Sequence, residues 1–232
     1  MTTIYEMLAF MTDVYNQKML RGDALKIQFQ IIPENEIWYL NSQPSGPAQL
    51  MKTISSGEPE IIFKLSLETL EQIFAGEMTG LTAIGRENMS DQTPLDFQLG
   101  PNTQMTPNLL NKFYKFIQHF FNPTHPETIL MDKAHSRQVH GAWAIPLFYH
   151  TGFRSAWYQI EKGQRLNEPG DTNPFPQAFI IISGTGYAKL GEINETVGPG
   201  KAYFIPPGTD HVVWTDEETP LSLIYLAWGE KA

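Results

Sequence analysis

Cysteine is absent from the 232 residues, which excludes disulfides and thiolate chemistry but leaves the compartment open. Basic residues are scarce. Sixteen Lys and Arg stand against 25 Asp and Glu, a formal net charge of −9, and no two Lys or Arg are adjacent. A nucleic-acid partner needs clustered positive charge, and so does attraction to an anionic lipid surface, so neither is expected. No apolar run approaches the ~20 residues that cross a bilayer. The opening stretch, MTTIYEMLAFMTDVYNQKML, lacks the basic, apolar and small-residue order of a signal peptide. The expectation is a soluble, cytoplasmic chain with no membrane insertion. Hydrophobic residues are plentiful at 41%, enough to bury a core and too many for disorder. The length suits one large domain or two small ones.

From Ile4 to Lys18, residues Ile4, Met7, Leu8, Met11, Val14 and Tyr15 form one apolar stripe at helical spacing. Leu25 to Ile32 and Glu36 to Asn41 read as strands joined by Pro33-Glu34-Asn35. Gln43 to Pro47 reads as a loop, and Ile61 to Leu65 as a further strand. Ser66 is a candidate N-cap, with Glu68 in the first turn where the helix dipole favours negative charge. Gly76 ends that helix. A short helix over Thr79 to Ile84 and a strand over Leu95 to Leu99 follow. Thr106-Pro107 opens a strong helix that Asn122-Pro123 stops.

Helix, strands, helix, strand, helix is an α+β order. The piece EPEIIFKLSLETLEQIFAGEMTGLTAIGR resembles the sterol carrier protein fold: a strand, a Ser-capped Leu-rich helix, then a Gly-containing turn into a second helix. The following GRENMSDQTPLDF departs from that family's Gly-Lys-rich strand. The resemblance implies an apolar tunnel for a lipid-like ligand, lined by Leu67, Leu70, Ile73, Phe74, Phe113, Phe116, Ile117 and Phe120. A closed core is the competing reading of the same residues. The organisation expected is an α+β domain over 1–121, a linker over 122–140 and a β-rich domain over 141–232. His125, His135 and His140 crowd the linker, but their spacing matches no common metal-ligand pattern.

From Gly141 onward, short strands alternate with Gly and Pro turns, the pattern of a sandwich or barrel. Within it, GKAYFIPPGTDHVVWT (200–215) reads as strand, tight turn, strand. Alternation puts His211, Val213 and Thr215 on one face. The spacing G-x5-P-x-G-x2-H-x3 resembles the second motif of the cupins, with Thr215 where Asn usually stands. Gln177 and Gly184 match the closing E-x6-G of the first motif, Gln replacing Glu. Counting back puts Asp171 and Asn173 at the two histidine positions, while Gly163 lies too far upstream for the opening glycine. The resemblance implies a double-stranded β-helix, or jelly roll, that commonly dimerises; a homodimer is expected.

In that family three histidines and a glutamate hold a metal. Here the corresponding residues are Asp171, Asn173, Gln177 and His211. Asn and Gln amides are weak donors for transition metals, so no metal or other cofactor is expected; Asp171, Gln177 and His211 are the weak candidates. Phe179 and Ile181 share a strand face with Gln177. The ligand-binding set is then Asp171, Asn173, Gln177, Phe179, Ile181, His211 and Val213. His211 reads as a hydrogen-bonded barrel residue, a ligand anchor or a general acid–base group; Tyr158, Tyr187 and Tyr225 are candidates to orient it. Asp210 faces the other way. The favoured function is binding or sensing of a small apolar or amphiphilic molecule. The competitors are a cupin-type oxygenase or isomerase, metal-dependent or metal-free through His211, and an assembly module.

Overall fold

The structure, a computed structural model, describes residues 2–18, 23–53, 57–88 and 90–232. The chain falls into two units. One runs to Arg86 and again from Ser90 to Ile129; the other runs from Leu130 to Ala232 and includes the short stretch beginning at Glu87. No helix among the described residues is long and apolar enough to cross a membrane.

The first unit contains α1 (Ile4–Lys18), β1 (Leu25–Ile32), β2 (Glu36–Gln43), β3 (Gly46–Met51), β4 (Ile61–Ser66), α2 (Leu67–Phe74), α3 (Gly80–Ile84), β5 (Leu95–Leu99) and α4 (Pro107–Phe120). Its sheet runs β3-β2-β1-β4-β5, with β1 and β4 parallel and the other pairs antiparallel. The segment Gln43–Pro47 is not a free loop. Gln43 pairs with Gly46 across a tight turn, and β3 continues the hairpin to Met51. Each of α2, α3 and α4 starts on a hydroxyl cap: Ser66 accepts from Thr69 N, Thr79 from Thr82 N and Thr106 from Leu109 N.

These caps aim the apolar helix faces at the sheet. Phe29 and Phe63 are partners across β1 and β4. The Phe29 ring stacks on Phe120 at 5.2 Å, Phe63 stacks on Phe116 at 5.8 Å, and Phe116 lies 4.7 Å from Phe120. Leu70, Ile73, Phe113, Phe116, Ile117 and Phe120, expected to line a tunnel, are all buried, and the phenylalanines among them touch ring to ring. Leu67 is half-buried. Phe74 is half-buried too, edge-on to the exposed Phe10 at 5.5 Å. Gly80 is required where α3 meets α4: a Cβ there would lie 2.5 Å from Phe121 Cβ.

The stretch 122–140 carries structure at both ends. Lys18 Nζ donates to the carbonyl oxygens of His119 and Asn122, at the frayed carbonyl end of α4. It also pairs with Glu127 at 2.8 Å, and Glu127 meets His119 Nδ1 at 2.9 Å. Burial draws the Lys18 ammonium below its ordinary value, with Glu127 opposing. For Glu127, burial favours the neutral acid, but the hydrogen bonds from His119 and Lys18 prevail and hold its carboxyl below the usual range. Further on, Lys133–His135 forms a 3-10 turn capped by Asp132, and Arg137–Val139 forms β6.

The second unit adds β7 (Ala142–His150), β8 (Phe153–Ile160), β9 (Arg165–Leu166), β10 (Gln177–Ser183), β11 (Gly186–Leu190), β12 (Ile193–Val197), β13 (Ala202–Ile205), β14 (His211–Trp214) and β15 (Leu221–Trp228). They form two antiparallel sheets, β13-β10-β15-β8-β7-β6 and β12-β11-β14-β9. The core between them takes Ile160, Phe179, Ile181, Ile205 and Leu223 from one sheet and Leu166, Ala188, Val197 and Val213 from the other. The outer side of the larger sheet exposes Ile180, Ile182 and Phe204, the last 72% accessible.

Two outcomes follow for the first unit. Phe120→Ala should cost about 3–5 kcal/mol, whereas Phe74→Ala should lose no more than an exposed aromatic contact, about 0.5–1.5 kcal/mol; denaturant titration of both variants checks the ranking. Glu127→Gln should cost about 0.5–1.5 kcal/mol at neutral pH, because solvent reaches the carboxylate and screens its hydrogen bonds. Because the folded Glu127 carboxyl sits below its unfolded value, its contribution is full above the unfolded pKa and disappears as pH falls through the folded one. The gap in melting temperature between wild type and Glu127→Gln should therefore close in acid.

Candidate functional site

Inward-facing residues of the second unit follow from register. Gln177 pairs with Ile205 on one side and Ala227 on the other, and Ala227 pairs with Arg154. These four share one face of the larger sheet. The next row on that face is Tyr203, Phe179, Tyr225 and Ala156. From the opposite sheet, His211 begins β14 beside Leu190. Gln177, Arg154 and His211 stand at or next to the first residue of their strands and Ala227 next to the last of its own, so they gather at one end of the barrel.

Loops 167–176 and 206–210 are stitched together at this end. Gly170 N donates to Asp210 Oδ1 at 2.9 Å, Gly208 N to the Asn173 carbonyl at 2.8 Å, and Asn167 Nδ2 to the His211 carbonyl at 3.3 Å. Asp210 also takes Lys189 Nζ at 2.7 Å. The Lys189 ammonium and the Gly170 amide hold the Asp210 carboxyl below its ordinary range. Asp210 therefore braces the loops and does not orient His211.

His211 is 1% exposed, and its Nδ1 lies 3.0 Å from the Thr209 carbonyl. A carbonyl can only accept, so Nδ1 carries the proton and Nε2 holds the lone pair in the neutral ring. The ring lies 5.8 Å from Phe179, which is 6.1 Å from Tyr225. Gln177 is 0% exposed; its Oε1 accepts from Asn173 Nδ2 at 3.2 Å, and its Nε2 has no partner among the described residues. Turning the amide over would replace an unpaired N–H with an unpaired carbonyl. Either way a fully buried polar group is left over, which costs about 1–3 kcal/mol in a closed core.

Tyr158 and Tyr225 both face inward on neighbouring strands, their rings 6.2 Å apart. Burial pushes both phenols above their ordinary pKa, the nearby Tyr149 adding to the effect. Both residues nonetheless retain accessible surface. Tyr187, the third candidate, is exposed and stacks on Trp214.

The structure thus gathers Asn173, Gln177, Phe179 and His211 at one end, with Ile181 and Val213 deeper in the core. Asp171 stands apart. It is exposed, and its Oδ2 accepts from Glu168 N at 3.0 Å within its own turn. Counting back from Gln177 misplaces it because residues 171–176 form no strand, so no alternation fixes which way they point. Of the four expected ligand positions, those left inside are one imidazole and two amides, a set of weak donors for a transition metal. No group of three His, Asp or Glu among the described residues is arranged to hold one. Sequence reasoning also missed Arg154 and Phe175. The Arg154 guanidinium lies 5.8 Å from the rings of Tyr149 and Phe175. Thr215, standing in for an asparagine, is fully buried and donates to the Thr185 carbonyl at 2.8 Å.

No family model matches the sequence, and no curated protein matches it. Among solved structures, neighbours over about 40% of the chain are cupin and RmlC-like barrel proteins. A protein of Photorhabdus luminescens is similar at 17% identity, covering 44% of this chain and 88% of its own, with a TM-score of 0.41. A Cupin 2 conserved barrel domain protein from Salinispora arenicola gives 17%, 44%, 88% and 0.40. An RmlC-like cupin from Shewanella frigidimarina gives 16%, 42%, 82% and 0.37.

Gln177→Leu removes the unpaired amide and leaves Asn173 with one acceptor fewer. The two effects oppose, so unfolding free energy should move by less than about 1 kcal/mol in either direction. A loss of core-deletion size in a denaturant titration would mean that Gln177 Nε2 holds the fold together.

Proposed function

We propose that the barrel unit binds a small organic molecule with an apolar body and a hydrogen-bonding group, at the end where Gln177 and His211 meet. The observation that carries this reading is the fully buried Gln177 amide with an unpaired Nε2. Native interiors rarely leave such a group unsatisfied, and a ligand supplies the missing partner. His211 adds an acceptor at Nε2, and Phe179 and Tyr225 supply the apolar walls. A few polar groups in a largely apolar concavity is the usual make-up of a small-molecule site. The amides and single imidazole support a ligand held without metal.

The first unit carries a likeness to lipid carriers in its sequence pattern. We place the ligand in the barrel all the same, because the phenylalanines expected to line a tunnel are packed against one another. On this reading the first unit is a scaffold.

Native mass spectrometry of gently purified chain should reveal a small organic adduct, released on denaturation. Occupancy should fall severalfold in Gln177→Leu and His211→Leu and persist in Phe74→Ala. An adduct-free mass, with nothing extracted by solvent from the folded chain, would refute the reading. So would an adduct indifferent to both barrel substitutions.

A further inference from the structure

We infer, on the reading that this end of the barrel binds a small molecule, that the ligand carries a carboxylate and that Arg154 receives it. Arg154 lies on the same inward row as Gln177, with only Ala227 between them. Strands lie about 4.8 Å apart, so the two backbones are about 10 Å apart across that row. Phe175 packs on Ala227 together with Tyr225 and Ala232, so apolar carbon lies against the middle of this row.

Arg154 is half-buried, and no carboxylate among the described residues lies within ion-pair distance of it. Its guanidinium lies over the rings of Tyr149 and Phe175, each at 5.8 Å. That distance is near the limit of a cation–π contact, and ring faces leave the five N–H donors of the guanidinium unused. The groups with spare hydrogen-bonding capacity here share a character. Arg154 and the Gln177 amide donate, and the hydroxyls of Tyr158 and Tyr225 donate as readily as they accept. Burial keeps both phenols protonated, so they remain donors across the physiological range. In the neutral ring, His211 Nε2 accepts. The carboxylates nearby are engaged elsewhere: Asp210 with Lys189 and Gly170, and Asp171 within its own turn. Glu87 lies 3.9 Å from His140. A donor-rich barrel end with one cation that no carboxylate pairs is the complement of a carboxylate, which accepts two parallel bonds from a guanidinium. The apolar body would lie against Phe175, Phe179 and Tyr225, with a hydroxyl or similar group reaching Gln177 and His211.

The test uses the full chain and two pairs of probes: para-hydroxybenzoate with para-hydroxybenzamide, and hexanoate with hexanamide. Each pair keeps the body and changes only the charge. Calorimetric titration at neutral pH should show at least one carboxylate binding about tenfold or more tighter than its amide. Arg154→Gln should erase that preference while leaving the amide's affinity within about twofold, and Arg154→Lys should restore part of it. Unchanged melting temperatures would show that both variants fold. Equal binding of acid and amide to wild type, or a preference that survives Arg154→Gln, overturns the carboxylate assignment and leaves the small-molecule reading standing. Failure of all four probes at millimolar concentration, together with an adduct-free native mass, overturns both.

Discussion

Along a strand, successive side chains face opposite sides, so one fixed register decides every inward group at once. In the barrel unit that register is pinned where β10 ends. Gly184 adopts a positive φ of 74°, and a Cβ there would meet the Pro220 carbonyl at 2.3 Å. No other residue lets the chain turn so close beneath the start of β15. With β10 held between β13 and β15, Gln177, Phe179 and Ile181 have no choice but to face inward. A slip of one residue would expose all three and bury Ile180 and Ile182 instead. The site at the barrel end is therefore a consequence of strand pairing over most of the sheet, and not of a locally shaped loop.

The two units spend their interiors differently. In the first, the space between helices and sheet is filled by rings in mutual contact, and the polar groups that are buried find partners. Thr12 Oγ1 donates to the Leu8 carbonyl, and the Asn16 amide exchanges hydrogen bonds with the Ala48 backbone. In the second, the deep core around Val213 and Leu223 is just as apolar, but polarity reappears toward one end and is left partly unpaired. Unpaired polar groups lower stability, and they persist where something else requires them. That contrast, more than any single residue, separates scaffold from site.

Much of this was legible in the sequence, and what was not has a common cause. Hydroxyl caps, the Thr106-Pro107 helix start and the 3.6-residue stripe of α1 are local signals, and the structure shows each of them. The turn before His211 is local too, so its face could be read from alternation. Asp171 could not be placed, because alternation has meaning only inside a strand and residues 171–176 form a loop. Strands β3, β6 and β9 escaped notice because they carry little apolar alternation of their own and owe their existence to a partner. Tyr158, Tyr187 and Tyr225 look alike in sequence. Only cross-strand pairing tells the two that face inward from the one stacked on Trp214. Arg154 was passed over for a related reason: a single arginine in a strand reads as a solvated charge until its neighbours are known.

An acidic chain that takes an anion faces a particular constraint. A formal net charge of −9 gives the molecule no long-range attraction for a carboxylate, and the mean field opposes its approach. At physiological ionic strength that repulsion is screened beyond about 8 Å. Selectivity must then come from contact: directed donors on a surface that excludes water, where one guanidinium counts for more than many distant carboxylates. The neighbours of Arg154 fit this requirement. The Tyr149 and Phe175 rings flank it with carbon, and no carboxylate among the described residues lies within ion-pair distance of it. The same arrangement makes the site indifferent to neutral molecules of similar shape, since filling the apolar end alone leaves the guanidinium and the Gln177 amide still unpaired. On the carboxylate proposal, discrimination between an acid and its neutral twin would rest on a few groups at one end of the barrel, with no help from the net negative charge of the chain.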